Sequence, residues 1–169
     1  MTAPISCIIT SYNNGSALQG AVASVLRQTL PVAEIVIADD GSTDGSRELI
    51  AELARAHPSI KPILRERNLG VAANRDLAIR AASQPFVTHL DGDDLFARGK
   101  IAGEWRALGG RTDAVAWSLV ARVWPGKWWR TRVLDPAETV GVPGQEFDRL
   151  LARAGDIPRD MLLAKALFE

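Results

Sequence analysis

The chain has 169 residues, enough for one domain with a real hydrophobic core and too few for two comfortable ones. Its 20 basic and 20 acidic residues cancel, which excludes a bulk electrostatic partner such as a nucleic acid, although Lys127-Trp128-Trp129-Arg130-Thr131-Arg132 is locally basic. No stretch reaches membrane-spanning length, and the single cysteine, Cys7, sits in an apolar run without a disulfide partner, so the expected location is the reducing cytoplasm or the inner face of a membrane.

The elements alternate. Ile5 to Thr10 is a short apolar run rich in β-branched residues, as a strand buried on both faces reads, and it ends in the polar loop Thr10-Ser11-Tyr12-Asn13-Asn14-Gly15. Ser16 and Gln19 have capping-box spacing, and Leu18, Val22, Val25 and Leu26 follow at helical spacing until Pro31. Glu34 to Ala38 is a second buried strand, running into Asp39-Asp40-Gly41-Ser42-Thr43-Asp44-Gly45-Ser46, a loop dense in turn formers and N-cap residues. Glu48 to His57 is helical, with Leu49, Ile50, Leu53 and Ala54 on one stripe and Pro58 as its stop. Ile60 to Leu64 is a third strand, and Asn68-Leu69-Gly70 turns into a third helix over Val71 to Ala82, with Leu77, Ala78 and Ala81 available for packing. After Gln84-Pro85, Phe86 to Leu90 is the fourth strand. This strand and helix alternation predicts a parallel α/β sheet with right-handed crossovers.

In such sheets ligands bind beyond the carboxyl ends of the strands. Three informative loops fall on that edge: Thr10 to Asn14, Asp39 to Ser46, and Asp91-Gly92-Asp93-Asp94. If the fourth strand continues as an extended turn, Asp91 and Asp93 point the same way and Asp94 faces elsewhere. Two carboxylates in one small space need a positive group between them, and a hard divalent cation with oxygen ligands is the usual candidate. Gly92, without a Cβ, lets a backbone or a ligand come near the pair. The competing reading is a solvated acidic turn; the shared edge of the three loops weighs against it.

Beyond Asp94 the signals are Arg98 to Leu108 as a helix, Ala114 to Val123 as a strand containing Trp117, and a turn at Trp124-Pro125-Gly126. The tryptophans from Trp117 to Trp129 are expected in core and hairpin roles, ahead of an acceptor or membrane-facing surface. Gln145 to Ala154 has helical spacing, and Ile157 to Phe168 is another short ordered piece.

Five segments in register resemble a known family: Ile8-Ile9-Thr10-Ser11-Tyr12-Asn13; Ser24-Val25-Leu26-Arg27-Gln28-Thr29; Glu34 to Asp44; Asn68-Leu69-Gly70-Val71 with Arg75; and Asp91-Gly92-Asp93-Asp94. Together they resemble the N-terminal, nucleotide-binding part of the family 2 inverting glycosyltransferases. The resemblance implies the GT-A fold, a three-layer α/β/α sandwich around a mainly parallel sheet. It implies a UDP- or GDP-sugar donor and Mg²⁺ or Mn²⁺ as cofactor. It further implies a glycan or lipid-linked acceptor.

Site roles follow position by position. Thr10 and Tyr12 would border the base, and Asp40 would bind the base or ribose edge. Arg75 matches the basic residue after the Asn-x-Gly turn. Asp91, Gly92 and Asp93 match the D-x-D motif, with Asp93 the metal contact and Asp91 nearer the ribose or sugar.

The resemblance also has departures. Asp76 stands where the family usually has Asn. Residues Arg159 to Glu169 resemble the segment just before the family's catalytic-base motif, so the base is expected beyond Glu169; Asp148 and Asp160 qualify by composition only. The expected organisation is a donor-binding subdomain over 1–110 and the start of an acceptor-side subdomain over 111–169.

Two alternatives stand beside the transferase. One is a non-catalytic nucleotide-sugar-binding module. The other is a receiver-like signalling domain, ranked last because its acidic pair would follow the first strand, where this chain has Thr10-Ser11-Tyr12.

Overall fold

The computed structural model describes residues 1–118, 120–122, 132–134 and 161–168. Strands β1 (Ala3–Ser11), β2 (Val32–Asp39), β3 (Ile60–Leu64) and β4 (Phe86–Asp91) alternate with helices α1 (Ser16–Leu26), α2 (Ser46–Ala56) and α3 (Val71–Ala81). Helix α4 (Lys100–Leu108) and the short strands β5 (Val115–Ala116) and β8 (Leu162–Ala164) complete one compact unit, Met1–Ala116 with Asp160–Glu169. Within the second unit, Trp117–Arg159, strands β6 (Val120–Arg122) and β7 (Arg132–Leu134) form an antiparallel pair.

The main sheet has six strands in the order β3-β2-β1-β4-β8-β5. The first four are mutually parallel, and β8 lies antiparallel between β4 and β5. Period-two alternation sorts the apolar residues into two cores. Ile5, Cys7, Ile9, Ile35 and Ile37 face α1, α2 and α4, whereas Ile8, Val36, Ala38 and Val87 face α3. The result is the expected three-layer α/β/α sandwich.

Connections through α1 and α2 carry the chain outward from β1 to β3. Helix α3, on the other face, carries it back to β4 on the far side of β1. The strand order therefore reverses between β1 and β4, which makes their carboxyl ends a topological switch point and the place where a crevice opens.

Several local expectations change. The Ser16 and Gln19 capping box does not form, because Gly15, at φ 51°, takes the N-cap position and leaves Ser16 inside the helix; no side chain caps α1. On α3 the buried residues are Asn74 and Ala78, four apart, followed by buried Ala82 just past the helix end, while Ala81 is exposed. The strand predicted over Ala114 to Val123 divides into β5 and β6, which belong to different units. Trp117 follows β5 and is 38% exposed; Trp124, Trp128 and Trp129, like the helix predicted over Gln145 to Ala154, lie outside the described residues. Among the described residues no helix is long and apolar enough to cross a membrane.

Candidate functional site

Register brings the three sequence-marked loops together. Thr10 lies beside Ala38 on one flank and Asp91 on the other, and Ser11 lies beside Asp39. Side chains then lace the first two loops. Asn13, in the left-handed region at φ 52°, donates its N–H to Ser42 Oγ at 2.8 Å and accepts the Thr43 N–H on Oδ1 at 2.9 Å. The Gly15 N–H donates to Ser46 Oγ at 3.0 Å, and Ser42 is held in turn by the buried Asp39 carboxylate.

The third loop is a tight turn rather than an extended continuation. The Asp94 N–H donates to the Asp91 carbonyl at 3.0 Å, closing four residues. Asp91 and Asp93 nevertheless line one cleft of about 280 Å³, together with Thr10, Tyr12, Asp40 and Asn74. Gly92 ties this turn to β1: its N–H donates to the Thr10 carbonyl at 2.8 Å, and a Cβ there would stand 2.6 Å from Asn14 Oδ1. The close neighbour that requires a glycine is therefore the protein itself.

Asp91 is held on one oxygen. Its Oδ1 accepts from Thr10 Oγ1 at 3.1 Å and Arg75 Nη2 at 3.1 Å, with His89 Nε2 at 3.4 Å. Because Thr10 gives its one hydroxyl proton to Asp91, its oxygen accepts from His89 Nε2 at 3.0 Å, which sets the imidazole tautomer. No hydrogen bond from the described residues falls on Asp91 Oδ2. Asp93 is exposed and has no partner among them either. Among the described residues no three His, Cys, Asp or Glu side chains are grouped to hold a metal ion by themselves. The two acids can therefore supply only part of an ion's shell, with ligand oxygens and water as the remainder.

Asp40 and Arg75 are each engaged within the protein. Asp40 is buried, and its two oxygens accept the Leu69 and Gly70 N–H groups at 3.0 and 2.8 Å, with Arg65 Nη1 at 3.5 Å. Its carboxylate thus fixes the Asn68-Leu69-Gly70 turn from the cleft wall. Arg75 is not one of the cleft-lining residues and reaches the site through Asp91. Tyr12, 49% exposed, is the aromatic side chain on the cleft.

Sequence reasoning missed Asn74. It is 1% exposed, donates Nδ2 to the Ala38 carbonyl at 2.8 Å, and lines the cleft. The available signal was its place in line with Ala78 and Ala82, which puts it on the sheet-facing stripe. A second, larger cleft of about 570 Å³, walled by Leu30, Trp105 and Gly109 among others, shares no residue with the first and holds no acid.

Comparison with known proteins identifies the family. Residues 6–158 match the model of glycosyl transferase family 2. Curated relatives include the cholesterol galactosyltransferase of Borreliella burgdorferi, 37% identical over 53% of this chain and 25% of that protein. Another is the UDP-Glc:alpha-D-GlcNAc-diphosphoundecaprenol beta-1,3-glucosyltransferase WfgD of Escherichia coli, 33% identical over 57% of this chain and 38% of that protein. The chain thus spans well under half the length of these relatives.

Solved structures show the same fold. TarS 1-349 of S. aureus in complex with UDP superposes with a TM-score of 0.65 at 20% identity, over 99% of this chain and 48% of that one. The mannosyltransferase PcManGT of Pyrobaculum calidifontis, in complex with GDP-Man and Mn2+, gives 0.62 at 22% identity, over 76% and 38%. With a GT-A architecture and a family match over most of its length, the chain belongs to glycosyl transferase family 2.

Proposed function

We propose that this chain forms the donor-binding part of a transferase that moves a sugar from a UDP- or GDP-sugar to an acceptor hydroxyl, with inversion and with help from a divalent ion. The observation that carries the reading is the single cleft at the β1/β4 switch point that gathers Thr10, Tyr12, Asp91 and Asp93 in a family 2 chain. Relatives support it. WfgD is named for UDP-Glc, and the PcManGT structure holds GDP-Man and Mn2+.

Each residue has a task in this proposal. Tyr12 offers an aromatic wall to the planar base. Asp91 accepts a ribose or sugar hydroxyl on Oδ2, its plane fixed by the two donors on Oδ1, Thr10 and Arg75. Asp40 acts indirectly, by holding the Leu69 and Gly70 backbone against the cleft.

Asp93 and Asp91 Oδ2 fit a hard cation such as Mg²⁺ or Mn²⁺, whose shell a diphosphate would complete. When bound, such an ion neutralises charge that develops on the departing diphosphate. The general base is assigned to none of the described residues; Asp148 and Asp160 lie outside them. The acceptor in this proposal is a glycan or a lipid-linked glycan, met at the cytoplasmic side of a membrane.

Calorimetric titration of UDP and GDP, each with and without Mn²⁺, against wild type and Asp93→Ala tests the reading. Metal-dependent binding of one nucleotide, weakened at least about tenfold in the variant, is the expected outcome. Failure of both nucleotides to bind wild type in either condition overturns it.

A further inference from the structure

We propose that Asn74 reads the base, its Oδ1 accepting an imide-type N–H, N3–H of uracil or N1–H of guanine, when a nucleotide occupies the cleft. The inference deepens the donor-site reading and rests on it. Asn74 lines the cleft yet is 1% exposed, and its Oδ1 has no hydrogen-bond partner among the described residues. Orientation of the amide is set by the protein: Nδ2 faces the Ala38 carbonyl at 2.8 Å, and a flipped amide would place two acceptors together. The partnerless atom is therefore an acceptor, and only a donor satisfies it.

A buried acceptor without a partner costs free energy in the empty protein, and a donor entering the cleft would relieve that cost. A ligand N–H arriving there displaces no existing hydrogen bond. Selectivity follows from the same polarity. Uracil and guanine carry a proton on the ring nitrogen between their polar edge groups, whereas adenine and cytosine carry a lone pair at the equivalent position, which Oδ1 repels. Ser11, also on the cleft wall, has an equally unpartnered buried hydroxyl, but a hydroxyl either donates or accepts and so selects no base.

Helix α3 makes this placement rigid. Consecutive residues on one turn address the two strands that flank β1, Asn74 bonding the end of β2 and Arg75 bonding Asp91 at the end of β4. Asn74 is thus a specificity-determining residue on the same frame that fixes the acidic turn.

The test compares nucleotides that differ only at the proton in question. UDP against N3-methyl-UDP, and GDP against N1-methyl-GDP, are titrated calorimetrically into wild type, Asn74→Ala and Asn74→Ser, with ADP and CDP as further arms and circular dichroism to verify folding. The UDP and GDP arms decide which of the two bases supplies the N–H. Wild type should bind the unmethylated nucleotide at least about tenfold more tightly than its methylated form. A folded variant at position 74 should narrow that gap to about twofold and admit ADP or CDP more readily. Equal binding of methylated and unmethylated nucleotides by wild type overturns the assignment without needing any variant. An undiminished gap in a folded variant overturns it too, by moving the contact to another acceptor. If wild type binds UDP well but not through the imide proton, the donor-site reading survives while this one fails; if no nucleotide binds, both fail.

Discussion

The two ends of the parallel sheet differ in how fully the chain partners its own polar groups. Toward the amino ends, Glu34 is 2% exposed and fully engaged: Ser6 Oγ donates to it, the Ser83 N–H and Oγ donate at 2.8 and 3.0 Å, and Lys61 forms an ion pair. That one carboxylate joins β1, β2, β3 and the α3–β4 connection. At the carboxyl ends, polar atoms stay unfilled: Asp91 Oδ2, the Asp93 carboxylate, Asn74 Oδ1 and Ser11 Oγ have no partner among the described residues. Saturated acceptors make a closed structural joint. Unsaturated ones, in the same sheet and within a few residues along the same strands, hold capacity for something outside the chain.

Glu34→Ala would break the closed end most severely, stranding two hydroxyls, an N–H and Lys61. A loss of about 3 kcal/mol in denaturant melts is expected, with UDP affinity of the folded protein within about twofold of wild type. Gly92→Ala blurs the contrast, because it strikes fold and cleft together. Its Cβ would stand 2.8 Å from the Thr10 carbonyl, so a loss of about 2 kcal/mol should accompany weakened nucleotide binding.

Acid should open the saturated end without any substitution. Burial raises the Glu34 carboxyl, but Lys61, Ser6 and Ser83 outweigh it and bring the pKa to about 2, from 4.5. A carboxyl depressed on folding stabilises above its unfolded pKa and loses that contribution as pH falls through the folded one. Stability should therefore drop between about pH 4.5 and pH 2, by about 2 kcal/mol after discounting for the solvent around half-exposed Lys61, and Glu34→Gln should flatten the profile. Asp93→Ala gives the smallest effect on stability, within about 0.5 kcal/mol in the same melts, because the side chain is exposed and holds nothing. A larger loss would mean that the two ends do not differ as described.

The frame was legible because buried strands announce themselves. Ile5 to Thr10, Glu34 to Ala38 and Phe86 to Leu90 are apolar runs at the length parallel strands need, and proline or glycine marks their limits. The site edge followed from topology, which is why the loops carrying Thr10, Tyr12, Asp91 and Asp93 were expected together, and the cleft does gather these four residues. Roles within the site were less legible. The resemblance gave Asp40 a ligand role and Gly92 a place in the motif, but it could not show the tertiary contacts with Leu69, Gly70, Thr10 and Asn14 that these two cleft-lining residues also make. Asn74 escaped because asparagine on a helix reads as surface, and the carbonyl that buries it comes from Ala38, far away in sequence. Strands β5 and β8, two and three residues long, are too short to carry a period.

The position of β8 has a consequence for biosynthesis. It fills the sheet between β4 and β5, pairing Thr88 with Leu162 on one side and Ala116 with the same Leu162 on the other. Everything from Gly92 to Met161 leaves the ribosome after β4 and before β8, an interval of several seconds at ordinary translation rates. During that time Phe86, Val87 and Thr88 form an open strand edge on a nascent chain, and β5 has no neighbour to bind. Completion of the sheet waits for one late, long-range closure, so the chain's exposure to misassembly is greatest just before the sheet closes.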